Sequence, residues 1–197
     1  MRVSREKFAE NREKILAVAG ELFREKGFDG IGVAEIMKAA GLTHGGFYGH
    51  FESKDELACE ASKALVARSQ ERWKAVVAAS PEKPLEALLG HYLSHRNVVE
   101  YGTGCVFASL TQEVSRHGPE MQSTFTEGLM GMAGILEEIT PAETPEERRR
   151  KALASLSAMV GAVILARAMD DPALAEEFLS ATRQELEPSP DAAEASK

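Results

Sequence analysis

An all-α chain of about nine helices is predicted by three observations. Alanine, leucine, glutamate and lysine dominate, no sustained alternation of apolar and polar residues marks a strand, and helix caps recur along the length. At 197 residues and 44% hydrophobic, the chain is large enough for one good core or two small ones.

The first helix carries Ile15, Leu16, Ala19, Leu22 and Phe23 on one face and stops at Gly27, with Phe28 as its hydrophobic C-cap contact. A short second helix, Val33 to Ala40, places Val33, Ile36, Met37 and Ala40 at 3.6-residue spacing, and Gly41 stands where a left-handed residue ends it. Thr43 is positioned as N-cap of a third, short helix. Two short helices around a glycine turn form a helix-turn-helix, whose second helix enters the DNA major groove.

That third segment, GLTHGGFYGHFESKDEL from Gly41 to Leu57, carries Gly45, Gly46 and Gly49 where a helix avoids glycine, each at about 0.5 to 1 kcal/mol relative to alanine. Phe47 and Phe51, four apart, anchor it in a core, and the bared backbone is free to approach a ligand. For Phe47, Phe51, Ile36 and Leu42 simple packing is the reading.

The remaining helices are delimited by their caps. Ser53 and Glu56 form a capping box that opens a long helix through Leu65 and Trp73 to about Ala79, read as a rigid rod. Pro84 to Glu100 follows, then a helix from Gly104 or Cys105 to Gly118, and one from Pro119 to Ile139. Thr144-Pro145-Glu146-Glu147 repeats the capping box with proline at the first helical position, and Asp171-Pro172 opens the last helix. The domains expected are 1–53 for DNA binding, 54–187 for effector binding and dimerisation, and a disordered tail over 188–197, since EPSPDAAEASK from Glu187 to Lys197 lacks apolar periodicity.

The first-helix pattern KILAVAGELFREKGF, Ile36, Ala40-Gly41, and Gly46-Phe47-Tyr48-Gly49-His50-Phe51 followed by Ser53-Lys54 and Leu57 fall in one register. With them, residues from about Glu10 to Leu57 resemble the DNA-binding domain of the TetR family of bacterial transcription regulators. One departure is Gly32, where the family usually has serine or threonine; a hydroxyl contact to phosphate is lost there, at a capping cost of only a few tenths of a kcal/mol. The resemblance implies a cytoplasmic, ligand-responsive, dimeric regulator with no cofactor and no catalytic role. It further implies a repressor that binds a palindromic double-stranded operator, the alternative being an activator or a DNA binder without a small-molecule effector.

DNA contacts are expected from Val33, Thr43, His44, Gly45, Gly46, Tyr48, His50 and Lys54. Thr43 and His44 begin the recognition segment, Tyr48 and His50 point away from the Phe47 and Phe51 face, and the tyrosine at this place contacts phosphate in similar proteins. Lys54 can reach the backbone with its ammonium. A structural histidine and a phosphate contact remain equally open for His50. Arg2, Arg5 and Lys7 form a basic arm that reads better as a solvated N-terminus than as a minor-groove anchor.

An apolar or electrophilic small-molecule effector is expected among Tyr92, Cys105, Phe107, Met121, Phe125 and Leu129, with plain core as the bland reading of each. Cys105 opens a helix, where the positive dipole end favours a thiolate, so it is a candidate electrophile or oxidant sensor. A homodimer interface is expected from Leu153, Leu156, Val160, Val163, Ile164 and Phe178, because small and apolar residues cover most of the Ala152–Ala166 circumference.

The formal net charge of −8 at first opposes a polyanionic partner, yet residues 1–54 carry +1 and the other 143 carry −9. A near-neutral reading head on an acidic body suits operator binding better than coating of DNA. Two cysteines, Cys59 and Cys105, and no signal peptide suggest a reducing cytoplasm with no disulfide. The apolar window Ala152 to Met169 contains serines, a glycine and Arg167, which favours a buried helix over a membrane span. His91 and His95 have metal-ligand spacing on one helical face but no cysteine or carboxylate companions, so no metal is expected. No nucleophile, base and orienting group stand at recognisable spacing, and no phosphate-binding loop is present.

Overall fold

A computed structural model describes residues 4–187; Arg2 of the expected basic arm and the tail 188–197 lie outside them. The described residues form nine α-helices and one 3₁₀ turn, with no strand among them. In order these are α1 Arg5–Lys26, α2 Val33–Ala39, the 3₁₀ turn His44–Gly49, α3 Lys54–Ala79 and α4 Pro84–Tyr92. Then come α5 His95–Val99, α6 Val106–Val114, α7 Gly118–Ile139, α8 Pro145–Arg167 and α9 Pro172–Leu186.

The total matches the expectation through two departures that offset each other. The recognition segment is a 3₁₀ turn and not an α-helix: Gly46 N–H donates to the Thr43 carbonyl (3.0 Å) and His50 N–H to Phe47 (2.8 Å). Three glycines in six residues hold too little helical preference to sustain α geometry, and the Thr43 side chain makes no cap hydrogen bond. Conversely, the helix expected from Pro84 to Glu100 breaks at Leu93. There the Ser94 hydroxyl donates to the His91 carbonyl (3.1 Å) and the Asn97 amide to the Tyr92 carbonyl (2.7 Å), so side chains replace the helical ladder. His91 and His95 consequently sit on different helices and do not share a helical face, which removes their metal-ligand spacing.

The chain divides into two compact units. One takes in residues up to Ala67 with Tyr101–Glu127, the other Arg68–Glu100 with residues from Gly128 onward. In the first, Ser4 caps α1 by accepting from Lys7 N–H (3.2 Å), and Gly27 ends it at φ 78° with Phe23 and Phe28 in edge-to-face contact at 5.3 Å. Gly41, at φ 68°, turns the chain out of α2 while Leu42 N–H donates to Met37 (2.9 Å). Ile15, Phe23, Phe28, Ile36, Phe47 and Phe51 are buried in this core. Helix α6 packs on α1, where the Glu113 carboxylate accepts the Phe28 N–H at 2.7 Å and Arg24 donates to the Gly102 carbonyl; this packing is why residues 101–127 join the first unit.

The second unit is organised by α8 against α9, with α4 on α9 and α5 on α8. Thr144 and Asp171 cap α8 and α9 as expected, accepting from Glu147 N–H (3.1 Å) and from Ala173 N–H (2.8 Å). The partners of the two capping-box glutamates differ: Glu56 and Glu147 reach past the cap residue to the N–H of Glu52 (2.5 Å) and Glu143 (3.1 Å). Helix α8 buries Ala152, Leu156, Met159 and Val163 on one side. Among the described residues no helix is long and apolar enough to cross a membrane.

Candidate nucleic-acid interface

The six residues of the 3₁₀ turn contribute one side chain, Phe47, to the core; it is 1% exposed and tilts against Phe51 at 5.7 Å. Everything else the turn offers faces outward. Thr43, His44, Gly45 and Gly46 are exposed, and Tyr48 is 68% exposed, edge-on to Phe47 at 5.3 Å and to His44 at 6.2 Å. Val33, at the first position of α2, and Lys54, opening α3, are half-buried in the same unit.

The glycines of the turn have no internal reason to be glycine. None of Gly45, Gly46 and Gly49 has a positive φ, and a Cβ added at Gly45 would meet nothing within 4 Å. The chain therefore accepts the loss of helical preference without gaining turn geometry or close packing from it, which leaves the backbone bare to whatever approaches from outside.

His50 is half-buried and lies flat on Phe8 of α1, ring centroids 4.1 Å apart at 25°. Burial pushes its imidazole below the ordinary histidine value, and the Arg12 guanidinium adds to the effect. Arg12 sits 4.7 Å above the Phe51 ring and pairs with Glu60 of α3. Phe8, Arg12 and Glu60 are absent from the residues predicted as functional. An aromatic residue among the polar neighbours Glu6, Lys7 and Glu10 was the one signal available for Phe8.

The six effector candidates do not gather in one unit. Cys105, Phe107, Met121 and Phe125 belong to the first, all buried, with Phe107 edge-on to Phe125 at 5.6 Å. Tyr92 and Leu129 belong to the second, where Tyr92 packs edge-on against Trp73 at 5.5 Å. A surface cleft of about 350 Å³ in the second unit, lined by Leu85, Thr140, Pro141, Arg150, Ser155 and Leu186 among others, contains none of the six. Cys105 occupies the N-cap position of α6 without a side-chain cap hydrogen bond and is 9% exposed; burial raises the Cys59 thiol, reinforced by the Glu120 carboxylate.

Of the six dimer candidates, Leu156 (5% exposed) and Val163 (0%) are buried within the single chain. Leu153, Val160 and Ile164 remain partly exposed, and Leu165, Leu174 and Phe178 are 50%, 42% and 38% exposed.

Residues 15–61 match the model of a family described as bacterial regulatory proteins, tetR family. The chain is 26% identical over 132 residues to the transcriptional repressor NemR of Escherichia coli, a match that spans 66% of each protein, just under two thirds. The crystal structure of the reduced form of that NemR superposes with a TM-score of 0.76 at 22% identity, covering 90% of this chain and 95% of that one. A TetR transcriptional regulator from Chloroflexus aurantiacus gives 0.76 at 25% identity over 92% and 94%.

Proposed function

The chain belongs to the TetR family of bacterial regulatory proteins, and from that premise we propose that it is a dimeric repressor that binds a palindromic operator and is released by a small-molecule inducer. Residues 1–53 form its reading head. The observation that carries this reading is the outward-facing 3₁₀ turn, whose glycines are unexplained by φ or by packing while Thr43, His44 and Tyr48 stand exposed beside them. Bare backbone lets the turn seat deeply in the groove, where Thr43 and His44 face base edges. Tyr48 and Lys54 hold phosphate, and the amide at Val33 opens α2 toward the backbone. Two heads on a dimer meet half-sites about 34 to 36 Å apart. The reading is tested by whether the protein binds DNA upstream of its own gene in preference to a scrambled duplex of equal length.

The inducer is read by the buried apolar residues on and beside α6 and α7, and shifts the population toward a state with lower operator affinity. Cys105 at the start of α6 makes this response electrophile-sensitive. Treatment with N-ethylmaleimide, which adds to a thiolate, is expected to release DNA from the wild-type protein and from Cys59→Ser but not from Cys105→Ser. An equal response in all three proteins overturns the assignment.

A further inference from the structure

Phe8 is 43% exposed on α1, beside residues that are themselves exposed and polar, so it gains little from core burial. What it does touch is the imidazole of His50, against which it lies nearly parallel at 4.1 Å. Its ring edge also stands 4.0 Å from where a Cβ at Gly49 would be. Phe51 lies tilted at 43° to the imidazole with ring centroids 6.4 Å apart, so Phe8 supplies the one stacked face.

In this stack His50 has two unlike edges. Nδ1 is buried without a hydrogen-bond partner among the described residues, whereas Nε2 is not so enclosed. A buried N–H without an acceptor is costlier than a buried lone pair, so the single hydrogen of the neutral ring belongs on Nε2, the edge with access. The charged group that acts on the ring is Arg12 of α1, which pairs with Glu60 of α3; Lys7 and Glu10 pair with each other at 2.9 Å on the helix that carries Phe8. Arg12 opposes a second proton, in the same direction as burial.

We propose that Phe8 is a positioning residue for DNA binding: stacked on His50, it holds the imidazole as a neutral, one-sided donor with Nε2–H turned to the phosphate backbone. The inference rests on the DNA-binding reading above, and because phosphate contacts are independent of sequence it can be tested without knowing the operator. The probe is a random-sequence 30-bp duplex in low salt, titrated with full-length protein between pH 6 and pH 8.

Phe8→Ala is expected to bind about threefold to tenfold more weakly than wild type at pH 8, the loss of one donor to phosphate. The gap closes toward pH 6, because a freed imidazole gains a proton and with it attraction to DNA. Phe8→Tyr restores wild-type binding. In Phe8→Ala with His50→Gln the pH-dependent part disappears, while His44 is present in every variant and cancels in the ratios. Phe8→Leu, which keeps apolar bulk without a flat face, behaves as Phe8→Ala and covers the case in which the alanine variant does not fold. A Phe8→Ala to wild-type ratio that is constant across pH, or equal to one, overturns the inference. Wild-type protein that binds no duplex overturns the DNA-binding reading itself.

Discussion

Phe47→Ala is expected to destabilise the first unit by about 3 to 5 kcal/mol, the usual cost of emptying a buried aromatic site. Phe47 is the only buried residue in the 3₁₀ turn, and its neighbours Gly45, Gly46 and Gly49 supply no side chains that could compensate. Phe51 remains 5.7 Å away but belongs to the chain after the turn, so it cannot hold His44 and Tyr48 in place. Urea unfolding followed by circular dichroism measures the loss, and DNA binding should disappear with it. A change below about 1 kcal/mol would mean that the turn is held by contacts other than its one apolar anchor.

Placing glutamate at both Leu165 and Phe178 is expected to convert the protein from dimer to monomer in analytical ultracentrifugation. Helix α8 buries one side within the chain and leaves Leu165 half exposed, as α9 leaves Phe178. Apolar exposure on two mutually packed helices needs a partner surface, and two carboxylates in a symmetric interface meet their own copies. The monomer should bind DNA about a hundredfold to ten-thousandfold more weakly, since the second head no longer acts at high effective concentration. A variant that sediments as a dimer with operator affinity intact places the interface elsewhere.

The parts of this fold that were legible in the sequence are those written in local chemistry. Gly27 and Gly41 marked helix ends because positive φ is costly for other residues, and Ser53, Thr144 and Asp171 marked helix starts because their side chains satisfy free amides. What was hidden depended on competition or on partners. Whether the segment with Gly45, Gly46 and Gly49 would be an α-helix or a 3₁₀ turn depends on small differences that periodicity does not register. The break at Leu93 rests on Ser94 and Asn97 hydrogen-bonding backwards, which an apolar pattern cannot show. Leu156 and Val163 were indistinguishable in sequence from Leu153 and Val160, because an apolar stripe does not say whether its neighbour is the same chain or a second copy. His50 was visible as a candidate, but its stacking on Phe8 brings together residues from α1 and from the end of the turn.

The most direct test of the central claim is fluorescence-anisotropy titration of labelled DNA from upstream of the protein's own gene with wild type and Tyr48→Ala, using scrambled DNA as control. Tyr48 is 68% exposed, so its removal leaves the core intact and takes away only what faces outward. Tight, salt-sensitive binding of wild type to the upstream DNA alone, lost in Tyr48→Ala, is the predicted result. Equal weak binding to both DNAs, or undiminished binding by the variant, would contradict it.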